Sequence, residues 1–245
     1  MNNRIPRFRN TEIDEICEGL IRQHEGIAYG TRPIDIVGFA RDYFKLKLLY
    51  TSIAEDDPNK LSFLADGITP IKVCSQGKVQ SVIIPERTIL LDRVLKYPHE
   101  RTRRYFCIAH EVFHFVEAML THSPVVSAYH REFDNKMEYP LKDLSEMMSF
   151  RECQADRGAA ALLMPSALVR NTCLQFTDGQ SICVFGENVF TSKDKEILQD
   201  MAEYLGVSYT ALTIRMKQLK LLERHRLDEY ISTELKLSNE KAGGE

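Results

Sequence analysis

The sequence predicts an α+β fold, with helices packed on a small antiparallel sheet and a helical subdomain towards the C-terminal end. Residues 11–29 carry apolar side chains at helical spacing, and residues from 99 onwards return to that spacing. Between them, residues 46–92 break into short β-rich runs separated by Asp, Pro, Gly, Ser and Asn. A block of strands with helices before and after it is typical of an α+β domain.

Each element of this fold has its own signal in the sequence. The first helix is predicted within 11–29, and a second helix is predicted to begin at Pro33, because proline is favoured at the first helical position. The predicted strands are the runs LKLLYTSI, LSFLADG, TPIKVC, KVQSVIIP and TILLD. We interpret them as one small antiparallel sheet.

The second half of the chain is predicted to be mostly helical. Helices are expected over about 99–121 and about 145–163, and a hairpin is expected around Asp178-Gly179. The predicted parts are a first domain at 1–171, a hairpin connector at 172–192, a helical subdomain at 193–237 and a disordered tail at 238–245.

Composition and charge exclude several classes of protein. The net charge is −3, so bulk electrostatic attachment to nucleic acid or to a membrane surface is not expected. No apolar run reaches the roughly 18 residues of a membrane span, and the first ten residues contain no apolar signal core. The six cysteines form no C-x-x-C pair, which predicts reduced thiols in a cytoplasmic protein. A disulfide between Cys173 and Cys183 across the predicted hairpin is the alternative.

The segment CIAHEVFHFVEAM, residues 107–119, places two histidines four positions apart. On a helix, His110 and His114 share one face and can bind one metal ion, while Glu111 lies beside them to handle the proton of a water molecule. The apolar neighbours of the motif favour burial, and a buried imidazole needs a metal ion or a hydrogen-bond partner. The alternative is a helix with two histidines that are satisfied without metal.

A third ligand is expected, because catalytic zinc usually takes three protein ligands. The segment RECQADRGAAALLMP supplies Glu152 on a predicted helix, with Asp156 one turn later on the same face. We predict that Asp156 orients a ligand histidine as a hydrogen-bond acceptor. The alternative is an exposed acidic stripe that pairs with Arg151 and Arg157.

The combined pattern predicts a Zn²⁺-dependent endopeptidase. The predicted metal ligands are His110, His114 and Glu152, and Glu111 is the predicted base that takes the proton of water and passes it to the leaving amine. A group that stabilises the oxyanion is expected in the loop that follows the predicted helix at about 99–121. The candidates are His122, Tyr129, His130 and Tyr139.

These segments resemble the ImmA/IrrE family of zinc metallopeptidases, which have gluzincin-like sites. RRYFCIAHEVFH is similar to the family's lead-in to its H-E-x-x-H motif, and ECQADRGAAALLMP is similar to its third-ligand helix. RPIDIVGFARDYF and LGVSYTALTIRMKQLKLL also resemble family segments, so the resemblance spans most of residues 33–222. It implies a zincin-like fold and the same ligands, base and supporting aspartate. Since relatives often inactivate a helix-turn-helix repressor by cleaving it, it also implies a regulatory protein substrate and the induction of mobile-element or stress genes.

The chain departs from the family pattern at packing positions near the ligands. Family members commonly have Leu-Gly where this chain has Val112-Phe113, and Phe where it has Gly158. The ligands themselves are kept, so these departures concern the packing around the metal. The loop over 122–145 is also long, which bears on the shape of the substrate cleft.

The segment LQDMAEYLGVSYTALTIRMKQLKLLERHR has the spacing of a helix-turn-helix, with its turn at Gly206. Residues 206–226 carry five basic residues against one acid. DNA contact, binding of the substrate repressor, and a solvated helical hairpin are the three interpretations of this segment. The alternative to an enzyme is therefore a non-catalytic, zinc-containing transcriptional regulator that binds DNA or a repressor, and a metal-free interaction module is a third reading.

Overall fold

The computed structural model describes residues 7–55, 60–122 and 141–232, and the side chains of all of these except 141–149. The chain divides into two compact units. Unit 1 comprises Met1–Ile27 and Ile34–Pro165, and unit 2 comprises Ala28–Pro33 and Ser166–Glu245. Helices precede and follow a block of five consecutive strands, in agreement with the predicted α+β fold class.

Unit 1 contains a five-stranded sheet with the order β2-β5-β1-β3-β4. Its strands are β1 Lys47–Ile53, β2 Ser62–Ala65, β3 Pro70–Ser75, β4 Lys78–Ile83 and β5 Thr88–Asp92. Four lie within the runs that the sequence marks as strands, and β3 extends one residue beyond its run, to Ser75. The core on one part of the sheet is formed by Phe63, Ile71, Val73 and Leu90.

The predicted antiparallel sheet is wrong in one pairing, because β1 and β5 run parallel and the sheet is therefore mixed. The other three pairings are antiparallel. A parallel pair needs a long connection, and the segment between β1 and β5 is long enough to contain three further strands. The central residues of β5, Ile89, Leu90 and Leu91, are completely buried, as expected for an interior strand with both faces covered.

The α-helices in the described part of unit 1 are α1 Asn10–Glu25, α2 Ile36–Gly38, α3 Arg101–Thr121 and α4 Leu141–Leu163. Helix α1 buries Ile13, Cys17 and Ile21, which follow the predicted helical spacing. The second predicted helix is short, because α2 has only three residues and continues as a π-helical turn over Phe39–Tyr43. None of the described helices is both long enough and apolar enough to cross a membrane.

Helices α3 and α4 approach closely at Gly158. A Cβ atom built on Gly158 would overlap the ring of Phe113, which is itself buried. Phe113, on α3, and Gly158, on α4, therefore face each other. This close packing brings the ligand-bearing faces of the two helices together.

Unit 2 combines helices with a second, two-stranded sheet. Its helices are α5 Ser166–Thr177, α6 Ser192–Leu205 and α7 Tyr209–Gln218, and its strands are β6 Ile182–Phe185 and β7 Leu222–His225. Strands β6 and β7 run parallel. Helices α6 and α7 lie where the sequence predicts them and are joined at Gly206, whose φ of 70° is left-handed. The strand β7 lies within the segment 193–237 that is predicted to be helical, so the prediction is wrong for these four residues.

The predicted hairpin over 172–192 is also wrong. Residues up to Thr177 belong to α5, and β6 pairs along its length with β7, which lies about forty positions later. Its local pairing is a single bridge between Phe185 and Val189, at the far end of β6 from Asp178-Gly179. Asp178 and Gly179 do form a turn, with φ values of 51° and 81°. That turn ends a helix, because the amide of Gly179 donates to the carbonyl of Leu174. All six cysteines lie among the described residues and none of them forms a disulfide, Cys173 and Cys183 included.

Candidate metal centre

Helices α3 and α4 bring His110, His114 and Glu152 together. One ligand atom from each of these side chains lies within 4.8 Å of the others, so the group could hold a metal ion. The Nε2 atom of His110 is 3.1 Å from Nε2 of His114 and 3.1 Å from Oε2 of Glu152. The Nε2 atom of His114 is 3.6 Å from Oε1 of Glu152.

These separations fit a single tetrahedral ion. With bonds of about 2.1 Å to nitrogen and oxygen, two ligands of tetrahedral zinc lie about 3.4 Å apart. The three distances, 3.1, 3.1 and 3.6 Å, lie on both sides of that value, with His110 facing Oε2 of Glu152 and His114 facing Oε1. Two imidazoles and one carboxylate are also a donor set that zinc accepts in catalytic sites. The residues present therefore fit Zn²⁺.

Asp156 contacts the far side of the His110 ring. Its Oδ1 atom is 3.0 Å from Nδ1 of His110, while Nε2 of the same ring faces Glu152. A carboxylate at Nδ1 accepts the proton there and leaves the Nε2 lone pair directed at the metal position. Asp156 thus stands where the sequence reasoning expects a supporting acceptor.

His114 also has a carboxylate near its Nδ1 atom, at a longer distance, which the sequence reasoning missed. Glu117 follows one turn later on α3, and its Oε2 atom is 3.9 Å from Nδ1 of His114. The carboxylate is buried and held by Arg151 Nε at 2.7 Å and by Gln154 Nε2 at 3.2 Å. The sequence signal for this contact is the acid three positions after the second histidine, because residues i and i+3 share a helix face. Arg151 therefore pairs with a buried acid of α3 and not with an exposed stripe on α4.

Glu111 lies next to the candidate ligands and is almost fully buried, with 5% of its surface exposed. Ser62, on β2, donates a hydrogen bond of 2.7 Å to its Oε1 atom. The nearby Cys107 thiol has a pKa of about 11, raised by burial and by the charge of Glu111. Cys107 therefore stays a neutral thiol near neutral pH.

The pKa shifts of the side chains at the site favour a positive charge between them. Burial opposes the protonation of His110, but hydrogen bonds to Asp156 and Glu152 outweigh it and raise the pKa of His110 to about 10. Burial likewise opposes ionisation of Glu152, but the two histidines outweigh it and lower the pKa of Glu152. The surrounding carboxylates thus stabilise a cation at this point, whether protons or a divalent ion supply the charge.

The chain matches no family model and no curated protein.

Three of the four candidates for the oxyanion stabiliser fall on residues that the structure does not describe. Tyr129, His130 and Tyr139 lie outside the described residues. His122 ends α3 in the left-handed conformation, with a φ of 49°, and its amide closes the helix onto the carbonyls of Ala118 and Met119. That arrangement gives His122 a role at the end of the helix.

Proposed function

We propose that the protein is a zinc-dependent endopeptidase that cleaves a regulatory protein, such as a helix-turn-helix repressor. The observation that carries this proposal is the convergence of Nε2 of His110, Nε2 of His114 and a carboxylate oxygen of Glu152, with Glu111 at the adjacent position on α3. A three-ligand site beside a buried carboxylate is the arrangement of hydrolytic zinc enzymes. The resemblance of the motifs to the ImmA/IrrE peptidases supports the choice of a protein substrate.

Each side chain has a defined task in this proposal. His110, His114 and Glu152 would hold Zn²⁺, which when bound supplies a Lewis acid that polarises the scissile carbonyl and acidifies water. Glu111 takes a proton from the attacking water and returns it to the leaving amine. Ser62 fixes the carboxylate of Glu111 by its hydrogen bond. Asp156 and Glu117 hold the two imidazole rings in orientation.

The proposal is tested by changing Glu111 alone. Glu111→Gln should keep the zinc content of the wild type, because the three ligands are unchanged. It should also abolish cleavage of a proteome-derived peptide library. Mass spectrometry of the library after incubation gives the cleavage sites. Cleavage by Glu111→Gln at the wild-type rate, or no cleavage by the zinc-loaded wild type, would overturn the proposal.

The alternative of a transcriptional regulator that binds DNA receives less support from unit 2. Of the five basic residues over 206–226, Arg215 is completely buried, and Lys217 is bound to the carbonyl of Glu187 and to Asn188. Arg226 is paired with Asp228 at 2.8 Å. Lys220 and Arg224 are exposed. Three of the five basic side chains are thus buried or paired. DNA binding that weakens steeply as the salt concentration rises would nevertheless support this alternative.

A further inference from the structure

A second group of metal-binding side chains lies in unit 2, on the two-stranded sheet. Cys183 of β6 and Glu223 and His225 of β7 each offer one ligand atom, and these atoms lie within 4.8 Å of one another. The group contains a sulfur, a carboxylate oxygen and an imidazole nitrogen. It shares no residue with the site on α3 and α4.

The pairing of the strands explains why these side chains meet. Cys183 is opposite Glu223 in the parallel ladder, and Phe185 is opposite His225. Side chains two positions apart on a strand point to the same face, so Glu223 and His225 project to the side on which Cys183 lies. The arrangement therefore follows from the backbone register and needs no unusual rotamer.

The ring of His225 is held with one nitrogen towards the group. Its Nδ1 atom is 3.2 Å from Oε2 of Glu229, and the ring stacks on Phe185 with the ring centres 5.3 Å apart. Its Nε2 atom is buried and makes no hydrogen bond within the described residues, although Oε1 of Glu223 is 3.3 Å away. A carboxylate at Nδ1 fixes the tautomer whose Nε2 lone pair is available to a metal.

Negative charge surrounds the thiol. Glu223 is opposite Cys183 in the ladder, and the carboxylate of Asp194 lies beside it. Asp194 is anchored there, because its Oδ2 atom accepts a hydrogen bond of 3.2 Å from the backbone amide of Cys183. A divalent cation offsets this charge and binds the thiolate after the thiol proton is released.

We propose that Cys183, Glu223 and His225 bind a thiophilic divalent cation, of which Zn²⁺ is the physiological candidate, as a cross-link between β6 and β7. Sulfur and imidazole ligands favour zinc and its neighbours in the transition series over Mg²⁺ or Ca²⁺, which prefer oxygen. The ion would join β7 to a strand about forty positions earlier in the chain. A two-stranded sheet has little intrinsic stability, so such a link stabilises it.

Cobalt separates this site from the one on α3 and α4. Co²⁺ titrated into the metal-free, full-length protein should produce a thiolate-to-cobalt charge-transfer absorption, which two imidazoles and a carboxylate cannot produce. Cys183→Ser and His225→Ala should abolish or greatly weaken this absorption. Glu229→Gln should keep it and weaken Co²⁺ binding about 10- to 100-fold, because only the orientation of His225 is lost.

The matched control is Cys173→Ser, which changes another half-buried free thiol outside the group and should leave the absorption intact. A second test leaves Cys183 unchanged. A His110→Ala/His114→Ala double variant should still retain about one zinc ion per chain. The proposal is overturned if Co²⁺ produces no charge-transfer absorption, or if the absorption persists in Cys183→Ser. It is also overturned if the double variant retains no zinc, in which case Glu223, His225 and Glu229 form an ion-paired cluster only.

Discussion

The hydroxyl of Ser62 donates a hydrogen bond of 2.7 Å to the carboxylate of Glu111, and this bond joins β2 to α3. Both side chains are buried. A buried carboxylate with one fixed donor keeps a single orientation, and a general base must be aimed at the proton that it removes. Ser62 is thus a positioning residue for the proposed base.

Replacing Ser62 by alanine should slow the reaction without affecting the metal. A hydrogen bond to a charged group contributes about 1.5 to 3 kcal/mol, so Ser62→Ala should lower kcat at least about tenfold. KM and zinc content should stay at wild-type values, because neither the substrate nor the ligands are touched. Ser81→Ala, on the exposed strand β4, is the control. Equal kcat values for Ser62→Ala and the wild type would remove Ser62 from the mechanism.

Glu117→Gln should weaken metal binding and also destabilise the fold. Loss of the acceptor for His114 should weaken zinc binding about 10- to 100-fold in a competition with a chelator. Arg151, whose side chain is 11% exposed, would lose its buried counter-charge, so the free energy of unfolding should fall by about 3 kcal/mol. The exposed Glu86→Gln is the control and should change neither quantity. Unchanged zinc affinity in Glu117→Gln would contradict the supporting role of Glu117.

Gly158→Ala should loosen the contact between α3 and α4. The new methyl group would overlap the ring of Phe113, and such overpacking costs about 1 to 3 kcal/mol. Because Glu152 lies on the same helix, zinc affinity should fall together with stability. Denaturant unfolding and zinc titration measure the two effects. Full stability and full zinc affinity in Gly158→Ala would mean that the helices do not need this close approach.

The contact of Phe113 with Gly158 can also be tested by exchanging the two residues. Gly158→Phe alone should be strongly destabilising, and Phe113→Gly alone should leave a cavity. The double variant, which moves the ring to α4 and the glycine to α3, should be more stable than the sum of the single effects predicts. Purely additive effects would show that the two positions do not compensate each other.

The parts of the site that the sequence predicts are those set by helical periodicity. His110 and His114 lie four positions apart, and Glu152 and Asp156 repeat that spacing on α4, so their shared faces follow from 3.6 residues per turn. Helices α3 and α4 were therefore predicted to within a few residues. The acid at Glu117 obeys the same periodicity, but its role depends on Arg151, which lies 34 positions away.

The features that the sequence does not predict depend on contacts between distant segments. Ser62 reaches Glu111 across 49 positions, and only the packing of β2 on α3 brings them together. The Asp178-Gly179 turn was recognised correctly, but a local turn signal does not say whether a strand or a helix precedes it. The pairing of β6 with β7 was missed for the same reason, and with it the juxtaposition of Cys183 and His225.

The measurement that tests the central claim most directly is anomalous diffraction at the zinc absorption edge from crystals of the zinc-loaded protein. The account predicts a peak about 2.0 to 2.2 Å from Nε2 of His110, from Nε2 of His114 and from a carboxylate oxygen of Glu152. A zinc-loaded crystal with no peak between these three side chains, or with Glu111 in place of Glu152 as a ligand, would contradict it.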